Sequence, residues 1–196
     1  MSINKYYVKR MFDIIVSSSG LLLLSPIFLI LSLLIIINMG WPILFIQNRV
    51  GLNGKVFKMM KFRTMQHSHD GCTVSVAGES RITPIGKILR KYKLDELPEL
   101  INVLKGEMSI VGPRPDVPGY ADLLVGEERK ILKMRPGITG PASIKYRKEE
   151  FLLATQENPI KYNDEFIFPD KVKINLKYYY NNNIWIDIKL IWKTLF

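Results

Sequence analysis

The sequence predicts an α+β fold: an N-terminal helix that enters a membrane, then a small globular domain of helices with short strands and amphipathic surface helices. Three observations predict it. Between Asp13 and Arg49 no residue is charged. Residues 43–59 read as two short strands around an Asn-Gly turn, whereas the chain from Thr83 onward shows helical runs punctuated by proline and glycine. At 47% hydrophobic and 23% charged, the 196 residues are too apolar for a disordered chain and sufficient for one core.

The uncharged run Ile14–Ile37 is 24 residues long. A straight helix of that length covers about 36 Å, enough to cross a hydrocarbon core of roughly 30 Å. It is too long for the apolar region of a cleavable signal, and no small-x-small site follows before Trp41. Pro26, near its middle, removes a backbone hydrogen bond, and the Ser25 hydroxyl can satisfy a freed carbonyl. A sharp bend at Ser25-Pro26 is therefore tolerated even in lipid. Each half is then roughly 18 Å, which reaches the midplane and returns. Basic residues flank both ends: Lys5, Lys9 and Arg10 before, Arg49, Lys55 and Lys58 after. The positive-inside rule puts both groups on the cytoplasmic face only if the helix is re-entrant. A proline-kinked spanning helix is the alternative. Residues 1–42 are thus expected to form the membrane helix with a Trp41-Pro42 anchor, and residues 43–196 a cytoplasmic domain.

Within that domain, Ile43–Gln47 and Val56–Met59 read as strands joined through Asn53-Gly54. Residues 66–80 are polar and Gly/Ser-rich, which predicts a loop. Thr83-Pro84 caps and opens a helix whose apolar face is Ile85, Ile88, Leu89 and Tyr92. Leu97-Pro98 starts another, ended by Gly106. The C-terminal segment puts Ile184, Ile188, Ile191 and Leu195 on one helical stripe, flanked by Trp185, Trp192 and Phe196 and by Lys189 and Lys193. It reads equally as a core helix or as one lying at a membrane interface.

Lys plus Arg number 28 against 18 acids, a net charge of +10. That favours a polyanionic partner: nucleic acid, nucleotide phosphate or anionic lipid. No aromatic-and-basic RNA-binding motif and no recognition helix is present, so no nucleic-acid partner is expected. The single Cys72 excludes an intramolecular disulfide and fits a reducing compartment. The two histidines lie far from any Cys/His cluster at ligand spacing, which argues against structural zinc.

The chemistry-bearing stretch is Lys87–Pro115. Asp95 and Glu96 are adjacent carboxylates just before Pro98, at a helix start that favours negative charge, with Arg90, Lys91 and Lys93 upstream. An ionised Asp can attack phosphorus to form an acyl phosphate, and a neighbouring Glu can hold Mg²⁺ against a diphosphate. Residues one apart on a helix point about 100° from each other, so the two need not share a task. The plainer reading is that both carboxylates cap the helix, with Glu99 adding first-turn acidity.

The order of motifs decides between them. Lys9-Arg10-x-Phe12-Asp13, Ser25-Pro26, Phe62-Arg63-Thr64, Leu94–Pro98, Asn102-Val103-Leu104, Met108–Pro115, Pro136–Gly140 and Trp185-x-Asp187-x-Lys189 form a series along nearly the whole chain. In this the sequence resembles the bacterial sugar transferase family, monotopic phosphoglycosyl transferases. The resemblance implies a re-entrant helix bent at Ser25-Pro26. It implies transfer of a sugar-1-phosphate from a UDP-sugar to undecaprenyl phosphate with release of UMP. It implies Asp95 as nucleophile of a covalent phosphosugar intermediate, and Glu96 as ligand of an essential Mg²⁺ cofactor. Lys61, Arg63, Arg90 and Arg114 match the family's phosphate-handling positions. Arg114 lies between two prolines, whose fixed backbone suits a preorganised donor. After Pro136–Gly140 the chain departs from the common Gln and Gly-Arg continuation, running Pro141-Ala142-Ser143-Ile144-Lys145-Tyr146-Arg147, and Arg147 is the candidate substrate contact there. The resemblance further implies the minimal catalytic form, placed in the bacterial inner membrane with its active domain on the cytoplasmic face. Membrane lipid and downstream glycosyltransferases are the implied partners, in capsule, exopolysaccharide, lipopolysaccharide or glycoprotein assembly. A membrane-anchored basic module without activity is the rival reading, and it has no use for Asp95-Glu96 among cations.

Overall fold

The uncharged N-terminal run folds as two helices, α1 (Ile3–Leu23) and α2 (Ser25–Met39), bent by 61° at the break between them. This computed structural model describes residues 3–66 and 82–196. The loop expected at 66–80 therefore falls, beyond its first residue, outside the described residues. Pro26 sits in the first turn of α2, where a missing N–H matters least, and the Ser25 hydroxyl donates to the Leu22 carbonyl at 2.8 Å. Among the described residues no single helix is long and apolar enough to cross a membrane, whereas the bent pair together is.

Both arms of this bent pair are tied to the rest of the chain. The hairpin β1 (Leu44–Val50) and β2 (Val56–Phe62) follows, antiparallel from Leu44↔Phe62 to Val50↔Val56. Its turn holds Asn53 and Gly54 at positive φ, as the Asn-Gly pair predicts. The strands run farther than expected, to Val50 and Phe62, which puts Lys61 on a strand. Next come α3 (Pro84–Lys91) and α4 (Glu99–Lys105). Thr83 caps the first of these through Gly86 N at 3.0 Å, and Gly106 in the left-handed region ends the second. Both helices match the sequence expectation.

A second sheet, β3 (Ser109–Val111) with β4 (Gly137–Thr139), is parallel and three residues long in each strand. So short a strand leaves no readable alternation in the sequence. It forms because glycines let the backbones meet: a Cβ on Gly137 would stand 2.0 Å from Gly112 N. The remainder is helical: α5 (Pro141–Lys145), α6 (Glu149–Ala154), α7 (Pro159–Tyr162), α8 (Phe168–Asn181) and α9 (Ile184–Leu195). The mixture of helix and sheet is that of an α+β chain.

The main core gathers Met59, Val103, Met108, Ile110, Val111 and Tyr178, and Phe12 and Val16 of α1 pack on it. Asp13 accepts hydrogen bonds from Ser109 Oγ and Ile110 N, both at 3.0 Å. Arg10 donates to the Val103 and Leu104 carbonyls of α4 at 2.7 and 2.8 Å. The boundary expected at residue 42 is crossed by these contacts, and Lys9 and Arg10 are internal ties as well as flanking charges. On the other arm, Leu31 and Ile35 of α2 pack with Phe62 and Leu89. Leu22, Leu23, Leu29, Ile30, Leu33 and Ile37 remain exposed around the bend.

The C-terminal stripe needs correction. Ile186, Leu190 and Ile191 pack on the core and Asp187 is buried, while Ile188 and Leu195 face outward with Trp185, Trp192 and Phe196. The reason is Asp187, whose carboxylate is bound by Lys9 and Tyr178. That pairing rotates α9 away from its purely apolar register.

Candidate functional site

Asp95 and Glu96 lie in a tight 3-10 turn, Leu94–Glu96, between α3 and α4. Lys93 enters it at φ 57, a left-handed conformation that reverses the chain and brings both carboxylates inward. Asp95, Glu96 and Glu99 are all buried. A buried carboxylate needs partners, and Glu96 has two: Lys61 Nζ and Arg114 Nη2 each stand 2.9 Å from its Oε1. Lys61 also reaches Glu99 Oε1 at 3.3 Å. The register of β2 against α4 is fixed by Asn102, fully buried, which accepts from Met60 N at 3.0 Å and donates to the Lys58 carbonyl at 2.8 Å. Lys61 is held over the turn for that reason.

The three carboxyls titrate differently. Burial would push Glu96 up, but Arg114, Lys61 and Lys93 outweigh it and hold it well below the ordinary range. Glu99 is pushed up to about 7 by burial and by Glu96, against the pull of Lys61. Asp95 is raised, again by burial first, with Glu96 adding and Lys61, Lys93 and Arg90 opposing. Glu96 is therefore a fixed anion and Asp95 a desolvated one.

Two polar atoms at this site are buried without a hydrogen-bond partner among the described residues: Asp95 Oδ1 and Arg90 Nη1. Arg90 is aimed by Thr64, whose hydroxyl accepts from its Nε at 3.1 Å, and its Nη1 stands 4.0 Å from the Glu150 carboxylate. Arg90 also acts electrostatically on Asp95, and a buried acceptor and a cationic donor in one site suit a tetrahedral, negatively charged group better than a neutral one. Among the described residues no three Asp, Glu, His or Cys side chains converge into a ready-made metal cage. Mg²⁺ commonly takes one or two carboxylates and completes its shell with phosphate oxygens and water. Glu96, ionised and engaged through one oxygen only, fits that donor set, with Asp95 Oδ1 adjoining.

The structure thus brings together Asp95, Glu96, Lys61, Arg90 and Arg114. Arg63 and Arg147 are engaged elsewhere. Arg63 donates to the Met39, Gly40 and Trp41 carbonyls, the last at 3.2 Å, at the end of α2. Arg147 donates to the Lys193 and Thr194 carbonyls at the end of α9. Sequence reasoning passed over Glu99 and Thr64. Glu99 had a signal, since three residues after Glu96 puts it on the same helical face. Thr64 had none beyond its place in Phe62-Arg63-Thr64.

The chain is similar to known proteins along nearly its whole length. A family profile described as "Bacterial sugar transferase" matches residues 4–196. The chain is 38% identical over 195 residues to a "UDP-glucose:undecaprenyl-phosphate glucose-1-phosphate transferase" of Klebsiella pneumoniae, covering 96% of this chain and 39% of that protein. It is 33% identical to the "Exopolysaccharide production protein ExoY" of Rhizobium meliloti (strain 1021), covering 95% of this chain and 83% of ExoY. A "UDP-N-acetylgalactosamine-undecaprenyl-phosphate N-acetylgalactosaminephosphotransferase" of Aeromonas hydrophila is 34% identical, over 96% of this chain and 43% of its own length. The chain therefore spans about two fifths of the Klebsiella and Aeromonas proteins and most of ExoY.

Proposed function

Because the chain belongs to the bacterial sugar transferase family, we propose that it moves a sugar-1-phosphate from a UDP-sugar to undecaprenyl phosphate and releases UMP. Such a step begins the assembly of a surface polysaccharide or glycoconjugate. The Klebsiella and Aeromonas relatives differ in their named sugar and share the undecaprenyl phosphate acceptor, which supports the reaction and leaves the sugar open.

The observation that carries the mechanism is the unpartnered, buried Asp95 Oδ1 beside a Glu96 fixed by two cations. Desolvation makes Asp95 the more nucleophilic of the pair. Its oxygen attacks the sugar-linked phosphorus of the UDP-sugar. The bond to the bridging oxygen breaks, and UMP leaves with that electron pair. The phosphate of the polyprenol then attacks the same phosphorus, expelling the Asp95 carboxylate and giving a polyprenyl-diphospho-sugar. Arg90 and Arg114 supply cationic donors to phosphate oxygens whose charge grows in the transition state. Glu96 would hold Mg²⁺, which when bound neutralises the diphosphate and eases departure of UMP.

Membrane placement follows from the same reading. Arg10 and Asp13 bind one arm of the helical pair, and Leu31 and Ile35 bind the other, to one globular body. Two ends held by one body favour a re-entrant hairpin over a spanning helix, with the domain on the cytoplasmic face of the inner membrane. The outward stripe of α9, Trp185, Ile188, Trp192 and Leu195 beside Lys189 and Lys193, suits the headgroup layer.

The test is isotope exchange. Labelled UMP should enter UDP-sugar with no polyprenyl phosphate present, for the one member of a UDP-sugar panel that is the donor. Normal overall turnover without exchange would replace the covalent route by direct displacement and reassign Asp95 to base or metal ligand.

A further inference from the structure

Four consecutive residues at the end of β2 reach four different parts of the molecule. Lys61 binds Glu96 and Glu99. Phe62 packs with Leu31, Ile35 and Leu89, and its ring lies 5.4 Å from that of Phe28. Arg63, itself buried, gives its guanidinium to the carbonyls of Met39, Gly40 and Trp41. Thr64 aims Arg90. β2 ends at Phe62 and the chain runs on through Arg63 and Thr64, so one short segment touches the dyad and the membrane hairpin within four residues.

We propose that Arg63 is a positioning residue that clamps the exit of the membrane hairpin and so sets the height of the Asp95-Glu96 turn over the bilayer for the lipid-borne acceptor. The last carbonyls of a helix have no partner inside it, and near lipid each unsatisfied one is costly. A cation there is favoured by the helix dipole, and the planar guanidinium spreads the three bonds over two nitrogens, Nη1 to Trp41 and Nη2 to Met39 and Gly40, where an ammonium would have to gather all three on one. The Arg63 N–H adds a further tie, donating to the Ile43 carbonyl at 2.9 Å. Trp41, whose carbonyl is held, is exposed and stands where the chain leaves the hairpin. The two substrates feel this clamp unequally. A UDP-sugar arrives from water and needs only the dyad, whereas a polyprenyl phosphate presents its phosphate at a height fixed by the membrane. The inference rests on the two-step reaction proposed above.

The experiment uses the full chain in lipid nanodiscs, with Arg63→Lys, which keeps the charge and loses the fork, and Arg63→Gln. Exchange of UMP into UDP-sugar should stay within about twofold of wild type, while KM for undecaprenyl phosphate rises about fivefold or more. An equal fall in both half-reactions, a rise in KM for the UDP-sugar, or no change at all overturns the proposal. A second measurement needs no activity. The chain has three tryptophans, so Trp185→Phe with Trp192→Phe leaves Trp41 as the sole reporter of depth. Quenching of Trp41 by brominated lipid should shift in Arg63→Lys, and an unshifted profile overturns the clamp. Should wild type show no exchange while Trp41 still shifts, the two-step reaction fails and the clamp stands.

Discussion

Two buried clusters of charge hold this molecule together, and they are finished to different degrees. Where α1, α8 and α9 meet, Asp187 receives Lys9 on one carboxylate oxygen and the Tyr178 hydroxyl on the other. Burial and Asp187 together push the Tyr178 phenol up, so it stays a donor. Every strong group there is answered. At the dyad, Glu96 is answered twice through one oxygen, while Asp95 Oδ1 and Arg90 Nη1 are buried with no hydrogen-bond partner. A complete network rigidifies, and an incomplete one stores the capacity to bind. The same residue types are satisfied in one place and left open in the other.

Substitution of the two aspartates should separate those roles. The largest effect is expected on the rate of Asp95→Asn. An amide cannot form the acyl phosphate, so UMP exchange should fall by at least about a thousandfold. Stability should hold or rise, because the variant removes a desolvated charge that burial already disfavours. Thermal unfolding in detergent beside exchange kinetics checks both halves. A variant that unfolds instead would make Asp95 a structural capping residue.

Asp187→Asn should do the converse. It leaves Lys9, largely buried, without its ion-pair partner, and removing one partner of a buried pair costs about 3 kcal/mol. Exchange per folded molecule should stay near wild type. Loss of exchange without loss of stability would mean that the two clusters are coupled.

How far the sequence could see this contrast depends on what each cluster is made of. The hairpin, the two capped helices and the bend at Ser25-Pro26 were legible because each rests on local chemistry: Asn-Gly, Thr-Pro, a closing Gly106, a mid-run proline. The Asp95-Glu96 pair pointed to chemistry only through the ordered motifs around it and the resemblance they carry, since two acids at a helix start read first as a cap. The Lys9–Asp187–Tyr178 cluster was not, since its members are 169 and 178 positions apart and only packing joins them. For that reason the sequence could not say that the stripe on α9 divides, with Ile191 on the core and Ile188 and Leu195 outward. Arg63 and Arg147 were read as substrate contacts from their charge and motif, yet their guanidiniums close helix ends. A charge in a sequence does not say whether its partner is a ligand or a carbonyl.

The smallest expected effect is also the most diagnostic, because it sets two neighbours against each other across a shared lysine. Glu99 keeps its proton in the folded chain up to about pH 7, whereas an unfolded chain releases it near its ordinary 4.5. Between those values the folded state binds more protons, so stability falls as pH rises, and above pH 7 the whole penalty is present. Glu99→Gln is nearly isosteric and never ionises. It should match wild type below about pH 4.5 and exceed it by about 3 kcal/mol at pH 8. Glu96 carries the opposite sign: its carboxyl is held below the ordinary range, so it adds stability at neutral pH that is lost as pH falls through its lowered value. Glu96→Gln should therefore destabilise at pH 8 and approach wild type only in acid. Unfolding by denaturant between about pH 2 and pH 8 reads both curves. Curves that run parallel for the two variants would show that Lys61 favours neither carboxylate, and the division of the site into a fixed anion and its buffered neighbour would be lost.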